Sequence, residues 1–256
     1  MSRSRSPGSF SGTTEYHSPE GFVTGMVLTF VNTEDVTIGA GRCRDSTDTV
    51  DIVNSGTITV IIDGDPVTGI NKLDTGTESG NTWYAVHVIG GNGKATAGLF
   101  STSAASPTLP TGYTHFRRVG WVYNHSDNNF QNFVQSGNSS LRRCFYLEVP
   151  NDYTEVLCDA SDNSGADVDC STRLPATADT AIYRFHITAG STNVCNVRPG
   201  STDSPVVWAS LKDTEDERFL GEMPCGGTKG FYYITYGSGG AQSALTALVM
   251  GWTETL

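Results

Sequence analysis

Leu109–Tyr123 reads LPTGYTHFRRVGWVY. Pro110 and Gly112 predict a turn, because Pro fixes φ near the turn value and Gly takes positive φ at no steric cost. The residues after it are aromatic and β-branched and predict one strand. Side chains alternate along a strand. Tyr113, His115, Arg117, Val119, Trp121 and Tyr123 are therefore expected on one face, and Thr114, Phe116, Arg118, Gly120 and Val122 on the other. Each arginine goes to its own face. A stem that lies along apolar surface leaves a guanidinium in need of a carboxylate or carbonyl. Arg117 and Arg118 thus read as a structural brace that ties two faces to neighbouring elements, and not as one pocket.

Working outward, strand-like runs precede this stretch at Phe22–Val31, Val36–Arg44, Val50–Val53, Thr57–Ile62, Thr82–Ile89 and Ala95–Thr102. An Asn/Asp turn at Asn124–Asn129 and a run at Phe130–Gln135 follow it. That makes about nine strands at the 8–12-residue spacing of sandwiches. A small polar linker, Gly137–Ser140, is the candidate boundary. Beyond it lie runs at Cys144–Val149, Glu155–Leu157, Ala181–Thr188, Asn193–Arg198, Val206–Leu211, Arg218–Met223, Phe231–Tyr236 and Ala244–Trp252. Helix signals are nearly absent. The expected class is an all-β antiparallel sandwich, as two tandem domains over residues 21–138 and 139–256. One intertwined sandwich is the alternative.

Residues 1–20, MSRSRSPGSFSGTTEYHSPE, predict an extended N-terminal arm. Arg3 and Arg5 make its first half basic, and Phe10 and Tyr16 are candidate anchors against a neighbouring subunit. A disordered tail is the other reading.

A net charge of −11 argues against nucleic-acid binding, which needs a basic surface. No run approaches the roughly 20 apolar residues that span a bilayer. Met1–Phe10 lacks the apolar segment of a secretion signal. The six cysteines contain no C-x-x-C pair. Buried free thiols are the favoured reading, and Cys158 with Cys170 is the best disulfide pairing.

Catalytic signals are weak. Glu148 and Glu155 flank a predicted strand pair without diagnostic spacing. Asp159–Asp169 is a dense oxygen cluster, but Gly165 and Cys170 break the calcium-loop pattern, so a solvated loop is expected. Gly39-Ala-Gly41 starts like a dinucleotide fingerprint and lacks its last glycine. His17, His87, His115, His125 and His186 show no paired metal spacing. The tryptophans fall in predicted strands and read as core. No catalytic residue, cofactor site or metal site is assigned.

Asn81–Ile89 (NTWYAVHVI), Leu99–Ser103, Pro107–Tyr113 and Arg117–Gly120 (RRVG) together resemble a family of tailed-bacteriophage virion structural and tail-fibre-associated proteins. Phe231–Tyr236 and Leu245–Trp252 resemble its closing strands more weakly. The family's Gly-rich turn after the Arg-Arg-Val-Gly segment is replaced here by Tyr123–Asn129. The resemblance implies jelly-roll-like sandwiches and a non-enzymatic virion protein, either a tail-associated adaptor or short-fibre component or a head decoration protein. Its implied partners are other virion proteins and further copies of the chain. The alternative is an adhesin module that binds a host-surface receptor or glycan through Tyr123 or Tyr236, and a glycan depolymerase ranks third.

Overall fold

The structure is a computed structural model and describes residues 18–63, 68–147, 156–160, 165–188, 194–199, 209–212, 217–225, 229–236 and 243–256. These residues form strands and no helix. In chain order the first ten are β1 (Val23–Gly25), β2 (Leu28–Phe30), β3 (Asp35–Ile38), β4 (Gly41–Arg44), β5 (Asp51–Asn54), β6 (Ile58–Ile61), β7 (Thr82–Gly90), β8 (Ala97–Ser101), β9 (His115–Asn124) and β10 (Phe133–Ser136). Then come β11 (Leu141–Tyr146), β12 (Val156–Ala160), β13 (Gly165–Asp169), β14 (Ala178–Thr188), β15 (Val194–Pro199), β16 (Ala209–Lys212), β17 (Glu217–Pro224), β18 (Gly230–Tyr236) and β19 (Ser243–Thr255).

A nine-stranded sheet runs β17-β14-β19-β11-β10-β2-β3-β6, with β12 also paired to β19. Smaller sheets are β1-β4-β5, β8-β7-β9 and β13-β18-β15-β16. The pairings between these strands are antiparallel. Residues 137–140, the expected boundary, lie in the turn of the β10–β11 hairpin, where Gln135 faces Cys144 and Ser136 faces Arg143. The large sheet therefore takes strands from both sides of that turn.

The runs Phe22–Val31 and Val36–Arg44, each predicted as one strand, are each broken in two. Gly25 and Met26 take φ of 65° and 53°. In consequence β1 pairs with β4 while β2 pairs with β3 in another sheet. The two segments change sheet together. Met26 N–H donates to Ala40 O at 3.0 Å, and Gly39 N–H donates to Val27 O at 3.0 Å. The close approach requires glycine, since a Cβ on Gly25 would sit 2.2 Å from Ala40 O. Corners at which strands switch sheets let one chain build both layers of a β fold.

The polar stretch from Asp159, expected as a loop, instead contributes the end of β12 and all of β13. β13 pairs with β18 from Gly165↔Ile234 to Asp169↔Gly230. Ladder hydrogen bonds override its poor strand propensity.

One apolar core joins the sheets and includes Tyr84, Val86, Val122, Tyr146, Tyr183 and Trp252. Trp83 meets Trp121 and Trp252 edge-on, with centroids 6.5 and 5.2 Å apart. Farther along, Phe231 meets Tyr183 and Phe185 at 5.2 and 5.4 Å. One face of the large sheet is thus covered by β7 and β9 in one part and by β18 in another. On the opposite face Ile182 of β14 and Leu248 of β19 are each only 3% exposed, so it is covered there too. On β11, Arg142, Cys144 and Tyr146 are buried, whereas Leu141 and Arg143 are exposed.

Candidate assembly surface

Strand β9 carries the expected brace. It pairs with β7, but Val86 faces Gly120 while His87 faces Arg118, so Val119 is an extra residue. This is a β-bulge, and it corrects the simple alternation. Below Val119 the faces swap. Arg118 joins Trp121 and Tyr123, and Arg117 joins Gly120 and Val122. Val119 O accepts from Gln135 Nε2 at 3.0 Å, and Gln135 Oε1 accepts from Leu28 N–H at 2.7 Å.

Both arginines reach the end of β19, from opposite faces of β9. Arg117 Nη2 donates to Leu256 O at 2.6 Å. Arg118 forms an ion pair with Glu254 and stands over the Trp121 ring, 5.6 Å from its centroid. Glu254 is only 1% exposed. It also accepts from Thr177 Oγ1 at 2.8 Å, and Thr177 Oγ1 accepts from Trp121 Nε1 at 2.8 Å. A buried carboxylate needs such a complete set of donors. The candidate arm residues Arg3, Arg5, Phe10 and Tyr16 lie outside the described residues, as do Glu148, Glu155 and His17.

Other candidates fall into structural positions. Tyr123, proposed as an exposed binding aromatic, is 5% exposed. It packs on Trp83 and His125, and its hydroxyl donates to Asn81 Oδ1 at 3.3 Å. The side chain of Tyr236 lies outside the description. Cys43, Cys144, Cys170 and Cys225 are free thiols, so the pairing of Cys170 with Cys158 is not formed. Burial pushes Cys43 up to about 12 and Cys170 and Cys225 up to about 11, which keeps them protonated at neutral pH. Among the described residues no group of three or more His, Cys, Asp or Glu is placed to hold a metal ion.

A cavity of about 380 Å³ opens between β5, the β7–β8 hairpin and the start of β9. Asp51, Ile52, Gly91, Lys94, Thr96 and His115 line it. Beside it, His115 Nδ1 stands 3.8 Å from the buried Asp45 Oδ2. Asp45 accepts from Thr47 Oγ1 at 2.6 Å and from the N–H groups of Thr49 and Val50 at 2.8 and 2.9 Å. Burial alone would push its carboxyl up, but these bonds outweigh it and hold the pKa below the ordinary value.

The opposite face of the large sheet carries exposed apolar residues over part of its width. An antiparallel sheet with one wet face normally alternates apolar-in and polar-out. Thr29, Thr37 and Thr59 follow that rule in register across β2, β3 and β6. Strands β10, β11 and the edge strand β17 break it. Val134 on β10 is 46% exposed, Leu141 on β11 and Leu147 just past its end are 57% and 60% exposed, and Leu220 on β17 is 66% exposed. Phe145 shares this face, opposite Val134, with the Arg143 guanidinium 4.8 Å from its ring centroid. Arg143 Nη2 donates to Glu222 Oε2 at 2.8 Å, and Thr180 Oγ1 donates to Glu222 Oε1 at 2.7 Å. The sequence reading missed these residues. The signal was present in Leu141–Leu147, where both alternating sets contain large apolar side chains. Compared with known proteins, the chain matches no family model, no curated protein and no solved structure.

Proposed function

We propose that the protein is a non-enzymatic structural component of a bacteriophage virion, assembled in the host cytoplasm and held in the particle by protein–protein contacts. In this reading it is a tail-associated adaptor, a short-fibre component or a head decoration protein, built on a jelly-roll-like sandwich. The observation that carries it is the row of exposed apolar residues at β10 and β11 of the nine-stranded sheet. Exposed apolar residues gathered on one sheet face mark an interaction surface, and Val134, Leu141 and Leu147 lie at the neighbouring strands β10 and β11 in that way. The Arg-Arg-Val-Gly motif and the Ser/Gly-rich first 20 residues support the same reading.

The test is incorporation. Leu141→Lys with Leu147→Lys places two charges on the face without entering the core. The variant should keep the wild-type circular dichroism spectrum and lose its place in purified particles. Deleting residues 2–20 should likewise abolish incorporation and spare the β fold. A folded Lys variant that is packaged at wild-type copy number sinks the reading.

The cavity beside His115 and Lys94 favours one second reading, a module that binds a host-surface receptor or glycan, because its volume falls within the range of small-ligand sites. Purified protein that binds host cells, and loses that binding in Lys94→Ala with His115→Ala, would favour it over virion attachment. A depolymerase ranks below both, and a glycan-degradation assay without product disposes of it.

A further inference from the structure

We propose that the cavity between β5 and the β7–β8 hairpin binds a sugar carboxylate, one residue of an acidic glycan, with its carboxylate on Lys94 and its hydroxyls on the open edge of β5. This rests on the second reading above, a module for a host-surface receptor or glycan, and names the ligand. Backbone geometry, size and charge each argue for it.

Strand β5 ends its sheet, whose order is β1-β4-β5. Hydrogen bonds at the β4–β5 turn show which way each residue faces. Asp45 N–H donates to Val50 O at 2.8 Å, so these two form a bonded pair. The next pair, Arg44 with Asp51, is a non-bonded one, because Arg44 N–H turns the other way and donates to Phe22 O at 2.8 Å. Asp51 and, two residues on, Val53 therefore turn their N–H and C=O groups away from β4. Val53 O agrees with this direction, since it accepts from Thr96 Oγ1 of the hairpin at 2.7 Å. The N–H and C=O of Asp51 and the N–H of Val53 are left on the side of the cavity that both residues line. Edge groups of this kind are a template for an incoming ligand.

The occupant is not an added strand. Thr96 caps Val53 O, so a peptide laid along β5 would lose its ladder at the second outward residue. At about 380 Å³ the cavity lies near the lower end of the roughly 300–1,000 Å³ range of ligand sites, which suits one sugar residue better than a chain. A hydroxyl both donates and accepts, so a row of hydroxyls matches an edge that offers N–H and C=O in turn. The Asn92 amide on the lining is a further mixed donor and acceptor.

Charge selects among sugars. Asp51, Lys94 and His115 are the ionisable side chains of the lining. Asp51 is already matched, because its carboxylate accepts from Arg42, from Arg44 Nη1 at 3.3 Å and from Ser18 Oγ at 3.3 Å. His115 faces the buried Asp45. Lys94 has no ion pair among the described residues. Its stem crosses the Pro110–Gly112 turn, where a Cβ on Gly112 would come within 2.6 Å of Lys94 Cε. A cation without a partner of its own, set beside hydrogen-bonding edge groups, favours a ligand that brings a carboxylate.

Amide NMR titration of the purified full chain tests this with glucuronate, N-acetylneuraminate and glucose. Glucose carries a hydroxymethyl group where glucuronate carries the carboxylate, so that pair isolates the Lys94 contact. At least one acidic sugar should shift the Asp51, Val53 and Asn92 amides and bind at least about tenfold more tightly than glucose. Which acidic sugar does so identifies the source of the carboxylate. Lys94→Ala, at an exposed position, should lose that preference, and Lys94→Arg should keep it. Unchanged amide shifts away from the cavity in both variants exclude misfolding. No shift at these amides with any of the sugars, glucose binding as tightly as the acidic sugars, or a preference that survives Lys94→Ala overturns the inference. Protein that still binds host cells after any of these results leaves the receptor reading standing and removes only this ligand.

Discussion

Arg118 and Glu254 stand 136 residues apart in the chain and form an ion pair inside the protein. Arg118 belongs to β9 in a three-stranded sheet, and Glu254 to β19 in the nine-stranded one. The pair therefore fastens one layer to the other. Thr177 and Trp121 extend the link by two further hydrogen bonds. Burial of the carboxylate makes the pair costly to break from one side, because the remaining charge would be left without a partner or water.

Glu254→Ala should destabilise the fold by about 3–5 kcal/mol, the cost typical of stranding one member of a buried pair. Arg118→Met with Glu254→Leu should cost less than the single Glu254 change, since Arg118 is then not stranded and only the buried Arg142, opposite Glu254 in register, loses that carboxylate. Urea unfolding of the set measures both. Equal loss in the single and double variants would show that the site depends on packing and not on charge.

His87 should make the protein acid-sensitive. It is fully buried, its Nε2–H donates to Ser103 O at 3.0 Å, and Nδ1 has no hydrogen-bond partner. Burial, with Arg118 adjacent, lowers its pKa from 6.5 to about 4. The unfolded chain then takes up a proton between those values while the native protein does not. Stability from neutral His87 is complete above about pH 6.5 and falls as pH drops towards 4, by about 3 kcal/mol in total. Below about 4 this residue adds no further change. His87→Gln should flatten the stability profile through that window, whatever its effect at pH 7.

The sheet-switching corner should not tolerate a side chain at Gly25. A Cβ there meets Ala40 O at 2.2 Å and Gly41 Cα at 2.9 Å, on a backbone with φ of 65°. Gly25→Ala should cost at least about 3 kcal/mol, from the positive φ and the backbone contact together. Gly56→Ala is the control, because a Cβ there meets nothing within 4 Å. Thermal unfolding should separate the two variants clearly.

The four described thiols should be slow to react. In a chain with Cys158 and Cys195 replaced by Ser, a thiol reagent at pH 8 should modify Cys43, Cys144 and Cys170 only after denaturant is added. Partly exposed Cys225 should react first. Rapid native labelling of Cys43 would contradict its raised pKa and burial.

The all-β character was legible in the order of residues alone. Alternation, turn residues and the lack of helical periodicity are local properties, and local sterics choose strand over helix before any tertiary contact forms. That order also placed Arg117 and Arg118 on opposite faces and required partners for their guanidiniums. Which partners these are, Leu256 O and Glu254, is set by the packed fold, because the partners lie 139 and 136 residues away. The same holds for the bulge at Val119, which depends on the register of β7, and for the corner at Gly25, which depends on the approach of Ala40. Strand β11 shows the limit most clearly. Leu141 and Tyr146 look alike as strand residues, and only the sheet that packs over one of them makes it core and leaves the other at the surface.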